Sequence, residues 1–171
     1  MPTRSDFTTA QWRALRNAPQ LVALATAAAG NSGLLGSLAE GLTAASAFAQ
    51  ATRASNHLIT ALFAREEIRA AHEDIQALLR PATDRTPADH RLQDAAIEAT
   101  RAALDALLDR NATADADDFR KMLAWLAEKI ANASKEGDFL GFGGERVSEG
   151  ERKFLSRLYG VVGRPDAGAG S

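Results

Sequence analysis

The sequence contains no cysteine, and this absence excludes several kinds of site at once. Without thiols the chain forms no disulfide, no zinc site with cysteine ligands and no cysteine nucleophile. Histidine is also scarce: His57, His72 and His90 lie neither in a His-Glu-x-x-His pattern nor three residues after a glutamate. The patterns of zinc proteases and ferritin-like di-iron helices are therefore missing. We expect His72 to be half-buried and the other two histidines to face solvent.

Aromatic residues are few as well, at 6% of the 171 residues, and much of the 46% apolar content is alanine. Strands favour aromatic and β-branched residues, whereas alanine is the best helix former. No window of the sequence alternates between apolar and polar residues over a sustained stretch. The composition therefore predicts an all-α protein without a sheet, and a chain of this length predicts a single domain.

The sequence also lacks an excess of basic charge. The chain carries 20 basic and 22 acidic residues in a well-mixed order, with a net charge of −2. Nucleic-acid-binding proteins usually show a basic stripe, so we expect no nucleic-acid partner. The glycine run 141–144 is not followed by Lys-Ser/Thr, and no Gly-x-Ser-x-Gly elbow is present. With no such motif, we expect neither an enzyme nor a cofactor.

Caps and prolines divide the chain into six to seven predicted helices. Thr8 and Gln11 form a capping box for a helix to about residue 17, and Pro19 opens a second helix over residues 19–29. Asn56 caps one long helix that ends before Pro81. Further helices are predicted at 34–54, 86–110, 113–136 and 148–162, with Gly137 and Ser148 as caps. The last two carry apolar stripes at helical spacing, which are Phe119, Met122, Leu123, Leu126 and Ile130 in the first and Phe154, Leu155, Leu158 and Tyr159 in the second. The predicted domain covers residues 6–162, followed by a disordered tail over 163–171.

Two glycine-punctuated segments, 30–40 and 137–149, interrupt these helices and resemble each other. Each follows an alanine-rich helix and ends in an acidic residue that leads into the next helix. Loops usually carry polar residues, so large apolar side chains here are either buried in the domain or presented to a partner. Both interpretations stay open, and the second makes these the candidate partner-binding residues: Phe139, Leu140, Phe142, Leu34 and Leu35. The fold would then consist of two related helical-hairpin halves.

The segment 17–52 contains one charged residue, Glu40. A membrane-spanning helix needs about 20 mostly apolar residues, but glycine and polar residues at 30–33 interrupt this stretch. We therefore predict a buried helical hairpin. A membrane-surface protein that uses segment 17–52 is the alternative.

Acidic clusters occur at two other places. Glu66, Glu67, Glu73 and Asp74 alternate with arginines at helical spacing, which predicts a solvated face with local ion pairs. The acids at 115, 117 and 118 open a helix, where the helix dipole favours negative charge. They lack the glycine and the final glutamate of an EF-hand calcium loop, so we expect no metal there.

The run from Gly144 to Leu155 resembles the turn and helix of tellurite-resistance B-like domains. The resemblance is carried by Val147, Ser148 and Glu151, and it implies an all-helical domain with two such hairpins and a link to stress responses. Some family members bind a divalent metal near these turns. Here Gly143-Gly144 replaces the family's Asp-Gly, so we expect no resident metal. Asp138, Glu145 and Glu149 are the candidate ligands of the metal-binding alternative.

These observations favour a non-catalytic helical module that contacts a protein partner or a second copy of itself. We expect a bacterial, cytoplasmic protein whose contact surface includes the two glycine-punctuated segments.

Overall fold

The computed structural model describes residues 2–29, 56–80, 87–136 and 149–163. These residues form one short 3-10 helix, Arg4–Asp6, and no strand occurs among them. The predicted all-α single-domain bundle is confirmed. The described α-helices are α1 (Thr9–Ala29), α2 (His57–Leu62), α3 (Arg65–Leu79), α4 (Ala88–Leu108), α5 (Thr113–Glu136) and α6 (Glu149–Val162).

Helix α1 lies at the centre and contacts α3, α4, α5 and α6. Residues 17–27 are all buried, as expected for a helix enclosed on every side. Buried polar side chains need hydrogen-bond partners. Two of those in α1 bond to α3: Asn17 Nδ2 donates to Asp74 Oδ2 at 2.9 Å, and Gln20 Nε2 donates to the Ile68 carbonyl at 3.3 Å. The third, Thr26 Oγ1, donates to the Val22 carbonyl of its own helix at 2.8 Å.

The start of α1 agrees with the sequence, but the predicted boundary at Pro19 is wrong. The capping box is present: Thr8 N–H donates to Gln11 Oε1 at 3.1 Å, and Gln11 N–H donates to Thr8 Oγ1 at 3.2 Å. Pro19 instead lies inside one continuous helix. A proline in a helix interior costs about 3 kcal/mol. Burial of the surrounding residues on every side provides the stabilisation that offsets this cost.

The Asn56 cap is confirmed, but the single long helix predicted after it is wrong. Asn56 Oδ1 accepts hydrogen bonds from the N–H groups of Leu58 and Ile59 at 3.0 and 3.2 Å. The chain then breaks at Ala64, whose extended backbone (ψ 146°) separates α2 from α3. The break lets the two helices bury different faces. These are Leu58, Ile59 and Leu62 in α2, and Glu67, Ala71 and Ile75 in α3.

The acidic section of α3 is not the solvated face that the sequence predicts. Glu67 is buried, and its carboxylate lies between Arg4 (2.6 Å) and Arg16 (3.4 Å). Asp74 pairs with Arg13 and Arg16. The arginine partners come from the 3-10 helix and α1, far away in sequence, so spacing within α3 does not reveal them. The solvated-face interpretation holds for Glu66 and Glu73, which are exposed.

A tight turn joins α4 to α5. Asn111 has a positive φ of 55°, a conformation that asparagine tolerates better than most residues. The N–H groups of Asn111 and Ala112 donate to the carbonyls of Leu108 and Leu107, at 2.9 and 3.0 Å. The turn makes α5 antiparallel to α4.

The apolar stripes predicted for α5 and α6 form much of the core. Phe119 and Phe154 are among the largest fully buried side chains. The whole predicted α5 stripe is buried, as are Leu158 and Val162 in α6. The predicted helix at 34–54 and the predicted caps Gly137 and Ser148 lie outside the described residues.

Candidate functional site

The five candidate partner-binding residues, Phe139, Leu140, Phe142, Leu34 and Leu35, all lie outside the described residues. Of the candidate metal ligands, Asp138 and Glu145 also lie outside, and Glu149 is described. Glu149 Oε1 lies 2.6 Å from Lys153 Nζ, and both side chains are exposed. The hydrogen bond and the charge of Lys153 lower the pKa of Glu149. Glu149 is therefore one half of an exposed ion pair between successive turns of α6.

The helices that lead into the two glycine-punctuated segments end side by side. Ala23 and Ala27 of α1 form one hydrophobic cluster with Leu126 and Ile130 of α5. A helix rises 1.5 Å per residue, so α1 continues for about 3 Å beyond Ala27 and α5 for about 9 Å beyond Ile130. Residues 30 and 137 directly follow these two helix ends. The last described residues before the two segments, Ala29 and Glu136, therefore lie at the same end of the bundle, which we call the loop end.

Aromatic side chains border this cluster. Phe63 and Trp125 are partly buried and pack against it. The ammonium of Lys129 lies 5.8 Å from the centre of the Trp125 ring, a cation–π distance. An apolar cluster with a partly exposed aromatic rim therefore adjoins the loop end.

The described part of segment 17–52 belongs to the core. Residues 17–27 and Ala29 are buried against other helices, so they present no surface to a lipid bilayer in this fold. Among the described helices, none combines the length and the apolar content needed to cross a membrane.

A cleft of about 840 Å³ lies at the opposite end of the bundle, where α1 begins and α4 ends. Arg110 lines it and connects the α4–α5 turn to the N-terminal residues. Its Nη2 donates to Gln11 Oε1 at 2.9 Å, its Nε donates to the Asp6 carbonyl, and its guanidinium lies 4.5 Å from the Phe7 ring centre. We call this site the N-terminal cleft.

The acidic start of α5 forms one wall of the N-terminal cleft. Asp115 and Asp118 both line it, and Asp118 Oδ2 accepts a hydrogen bond from Asn56 Nδ2 at 2.9 Å. Asp6 approaches from the N-terminal side. Hydrogen bonds from the backbone and hydroxyl of Thr3 lower the pKa of Asp6. The cleft is therefore rich in carboxylates that belong to separate parts of the chain.

The histidines and acids of the described residues do not gather into a metal-binding cluster. No group of three or more His, Asp or Glu side chains there is placed to hold a metal ion. His72 is half-buried with Nε2 at 2.8 Å from Gln76 Nε2, and His57 and His90 are exposed. These positions agree with the sequence analysis.

Comparisons with protein-family models, curated proteins and solved structures find no match for the chain. The resemblance to tellurite-resistance B-like domains therefore stays a prediction. Of the residues that carry it, Val147 and Ser148 lie outside the described ranges, and Glu151 is a buried residue in the first turn of α6.

Sequence reasoning missed the N-terminal cleft. It placed the acids at 115, 117 and 118 correctly at a helix start but treated them as one local group. The structure separates them: Asp115 and Asp118 line the cleft, whereas Asp117 pairs with Arg120 at 2.8 Å. The sequence could have indicated that Asp115 and Asp118 act together, because residues three positions apart lie on the same face of a helix. The contributions of Asn56 and Asp6 depend on tertiary packing.

Proposed function

We propose that the protein is a non-catalytic interaction module whose contact surface lies at the loop end and includes both glycine-punctuated segments. The observation that supports this proposal best is the packing of Ala23 and Ala27 of α1 against Leu126 and Ile130 of α5. It brings together the helix ends that precede the two segments, which are about a hundred residues apart in the sequence. Two unusual apolar segments that begin at one end of a bundle can contribute to one surface.

The distribution of exposed apolar side chains also supports this proposal. Protein interfaces are organised around a few buried apolar or aromatic anchors. Among the described residues, Leu108 is the one large hydrophobic residue that is substantially exposed, at 40%, and it lies at the opposite end, where α4 finishes. The described surface therefore offers few anchors. The two glycine-punctuated segments supply Phe139, Leu140, Phe142, Leu34 and Leu35.

The first experiment is to measure molar mass in solution by size-exclusion chromatography with light scattering, over a range of concentrations. We expect a concentration-dependent dimer or larger assembly, and we expect Phe142→Ser to weaken it while the circular dichroism spectrum stays helical. Leu108→Ser is the matched control, because it also removes a large apolar side chain but lies at the opposite end. A loss of assembly in both variants would contradict a surface at the loop end.

If the wild-type protein is monomeric, the same variants are tested for binding to a partner protein from the native host. An interaction that survives Leu108→Ser and is lost in folded Phe142→Ser would support the proposal. If Phe142→Ser unfolds the protein, Phe142 belongs to the core and is not a contact residue.

Two other results would favour one of the alternative functions over this proposal. A melting temperature raised by calcium, magnesium, manganese or zinc, and lost in Glu149→Gln, would favour the metal-binding alternative. Co-sedimentation of the folded protein with liposomes would favour the membrane-surface alternative.

A further inference from the structure

The carboxylate of Asp115 has an unusual environment in the N-terminal cleft. Asp115 is 8% exposed and lines the cleft. Within the described ranges, no backbone or side-chain group donates a hydrogen bond to this carboxylate or forms an ion pair with it. Burial of an ionised carboxylate is costly unless it is paired. A ligand that enters from the open side of the cleft can supply that pairing.

The charges around Asp115 indicate what kind of partner fits. Asp6 and Asp118 contribute two further carboxylates, and among the described lining residues Arg110 has the one cationic side chain. The Arg110 guanidinium is already engaged by Gln11 Oε1 and by the backbone carbonyls of Asp6 and Ala106. The cleft therefore carries an excess of negative charge, which attracts cations and repels anions.

The size of the cleft and the arrangement of its acids favour an organic cation over a metal ion. A volume of about 840 Å³ is far larger than one ion needs. The acids of the described chain include no group of three placed to coordinate a metal. Ala112, Ala114 and Pro2 add apolar surface to the lining, which suits a hydrocarbon stem.

We propose that the N-terminal cleft binds a primary ammonium group carried on an alkyl chain, with the Asp115 carboxylate as its main acceptor. Such a group occurs in free alkyl diamines and in lysine side chains. An ammonium donates up to three hydrogen bonds, and its bonds to carboxylates are about twice as strong as neutral ones. The proposal does not depend on the contact surface at the loop end.

The test is a nuclear magnetic resonance titration of the full 15N-labelled chain with two probes. One probe is putrescine, a free diamine, and the other is acetyl-Ala-Lys-Ala-amide. Acetyl-Ala-norleucine-Ala-amide is the control, because it keeps the alkyl stem and lacks the ammonium. We expect saturable shifts of the backbone amides of residues 112–118 with at least one ammonium probe and none with the control. Tighter binding of putrescine would identify a small amine as the source, and tighter binding of the lysine peptide would identify a protein segment.

Two substitutions in the first turns of α5 distinguish this site from general electrostatic attraction. We expect Asp115→Asn to weaken binding about tenfold, the factor for losing one charge-assisted hydrogen bond. Asp117→Asn removes a carboxylate charge two residues further along α5. The Asp117 side chain is 63% exposed and does not line the cleft. We expect it to change binding less than about twofold, as for an exposed surface charge.

If Asp115→Asn fails to fold, Asp6→Asn provides the second variant, because Asp6 lies in the exposed 3-10 helix. It should weaken binding about threefold through loss of a neighbouring charge. The proposal is wrong if neither ammonium probe gives saturable shifts, if the norleucine peptide binds equally well, or if Asp117→Asn weakens binding as much as Asp115→Asn does.

Discussion

Arg16 Nη2 lies 2.8 Å from Asp74 Oδ2, although the two residues are 58 positions apart in the sequence. The same carboxylate accepts hydrogen bonds from Arg13 and from Asn17 Nδ2. Glu67 lies on the other side of Arg16, at 3.4 Å. Of the fifteen residues of α3, Glu67, Ala71 and Ile75 are buried. Helix α3 is therefore held against α1 to a large extent by charged hydrogen bonds.

Loss of the Asp74 charge should destabilise the fold. We expect Asp74→Asn to lower the free energy of unfolding by about 1–3 kcal/mol, because charge-assisted hydrogen bonds from Arg13 and Arg16 become neutral ones. Urea unfolding followed by circular dichroism measures this change. Glu73→Gln is the matched control on the neighbouring exposed position and should stay within about 0.5 kcal/mol of wild type. Equal effects of both substitutions would contradict a specific role for Asp74.

The same contact predicts a pH dependence. Partial burial raises the pKa of Asp74, but hydrogen bonds from Arg16, Asn17 and Arg13 outweigh it and hold the pKa below the ordinary value of 3.8. A lowered pKa in the folded state stabilises the protein above the unfolded-state pKa, and the stabilisation is lost as the pH falls through the folded-state pKa. The difference in unfolding free energy between wild type and Asp74→Asn should therefore be constant from pH 7 to about pH 5 and shrink below about pH 4. An unchanged difference at pH 3 would show that the charge of Asp74 contributes nothing.

Asn56 has two roles, because it caps α2 and donates to Asp118. Asn56→Ala removes both and should cost about 1–2 kcal/mol in thermal or urea unfolding. His57→Ala, at the exposed neighbouring position, should cost less than about 0.5 kcal/mol. Asn56→Asp retains the cap acceptor but places a second carboxylate beside Asp118. An Asn56→Asp variant as stable as wild type would exclude the contact with Asp118.

Helix α6 belongs to the core through Phe154 and Leu158, which are fully buried. Leu158→Ala should therefore lower the free energy of unfolding by about 2–5 kcal/mol through lost burial and the cavity it leaves. Ser156→Ala changes an exposed position on the same helix and should be neutral or slightly stabilising. A Leu158→Ala variant with wild-type stability would mean that α6 detaches from the bundle in solution.

The turn between α4 and α5 depends on the left-handed conformation of Asn111. Glycine adopts this conformation without strain, so Asn111→Gly should change stability by less than about 1 kcal/mol. Asn111→Val should cost about 1–2 kcal/mol, because a β-branched side chain clashes with the backbone in this region. Equal melting temperatures for the two variants would show that the turn relaxes to another conformation.

The sequence by itself determined the helical class and several boundaries of this protein. The alanine content predicts helices, the Thr8–Gln11 capping box and the Asn56 cap open the helices where predicted, and apolar spacing predicts the buried face of α5. The two caps and the apolar spacing depend on residues no more than four positions apart, so local chemistry specifies them.

Only the tertiary structure decided the remaining features. Pro19 continues a helix because the surrounding core encloses it, and Glu67 and Asp74 are paired because α3 packs on the arginines of α1. The N-terminal cleft combines Asp6 with residues about a hundred positions later. Contacts over such separations depend on how the helices pack together, and no local spacing in the sequence specifies that packing.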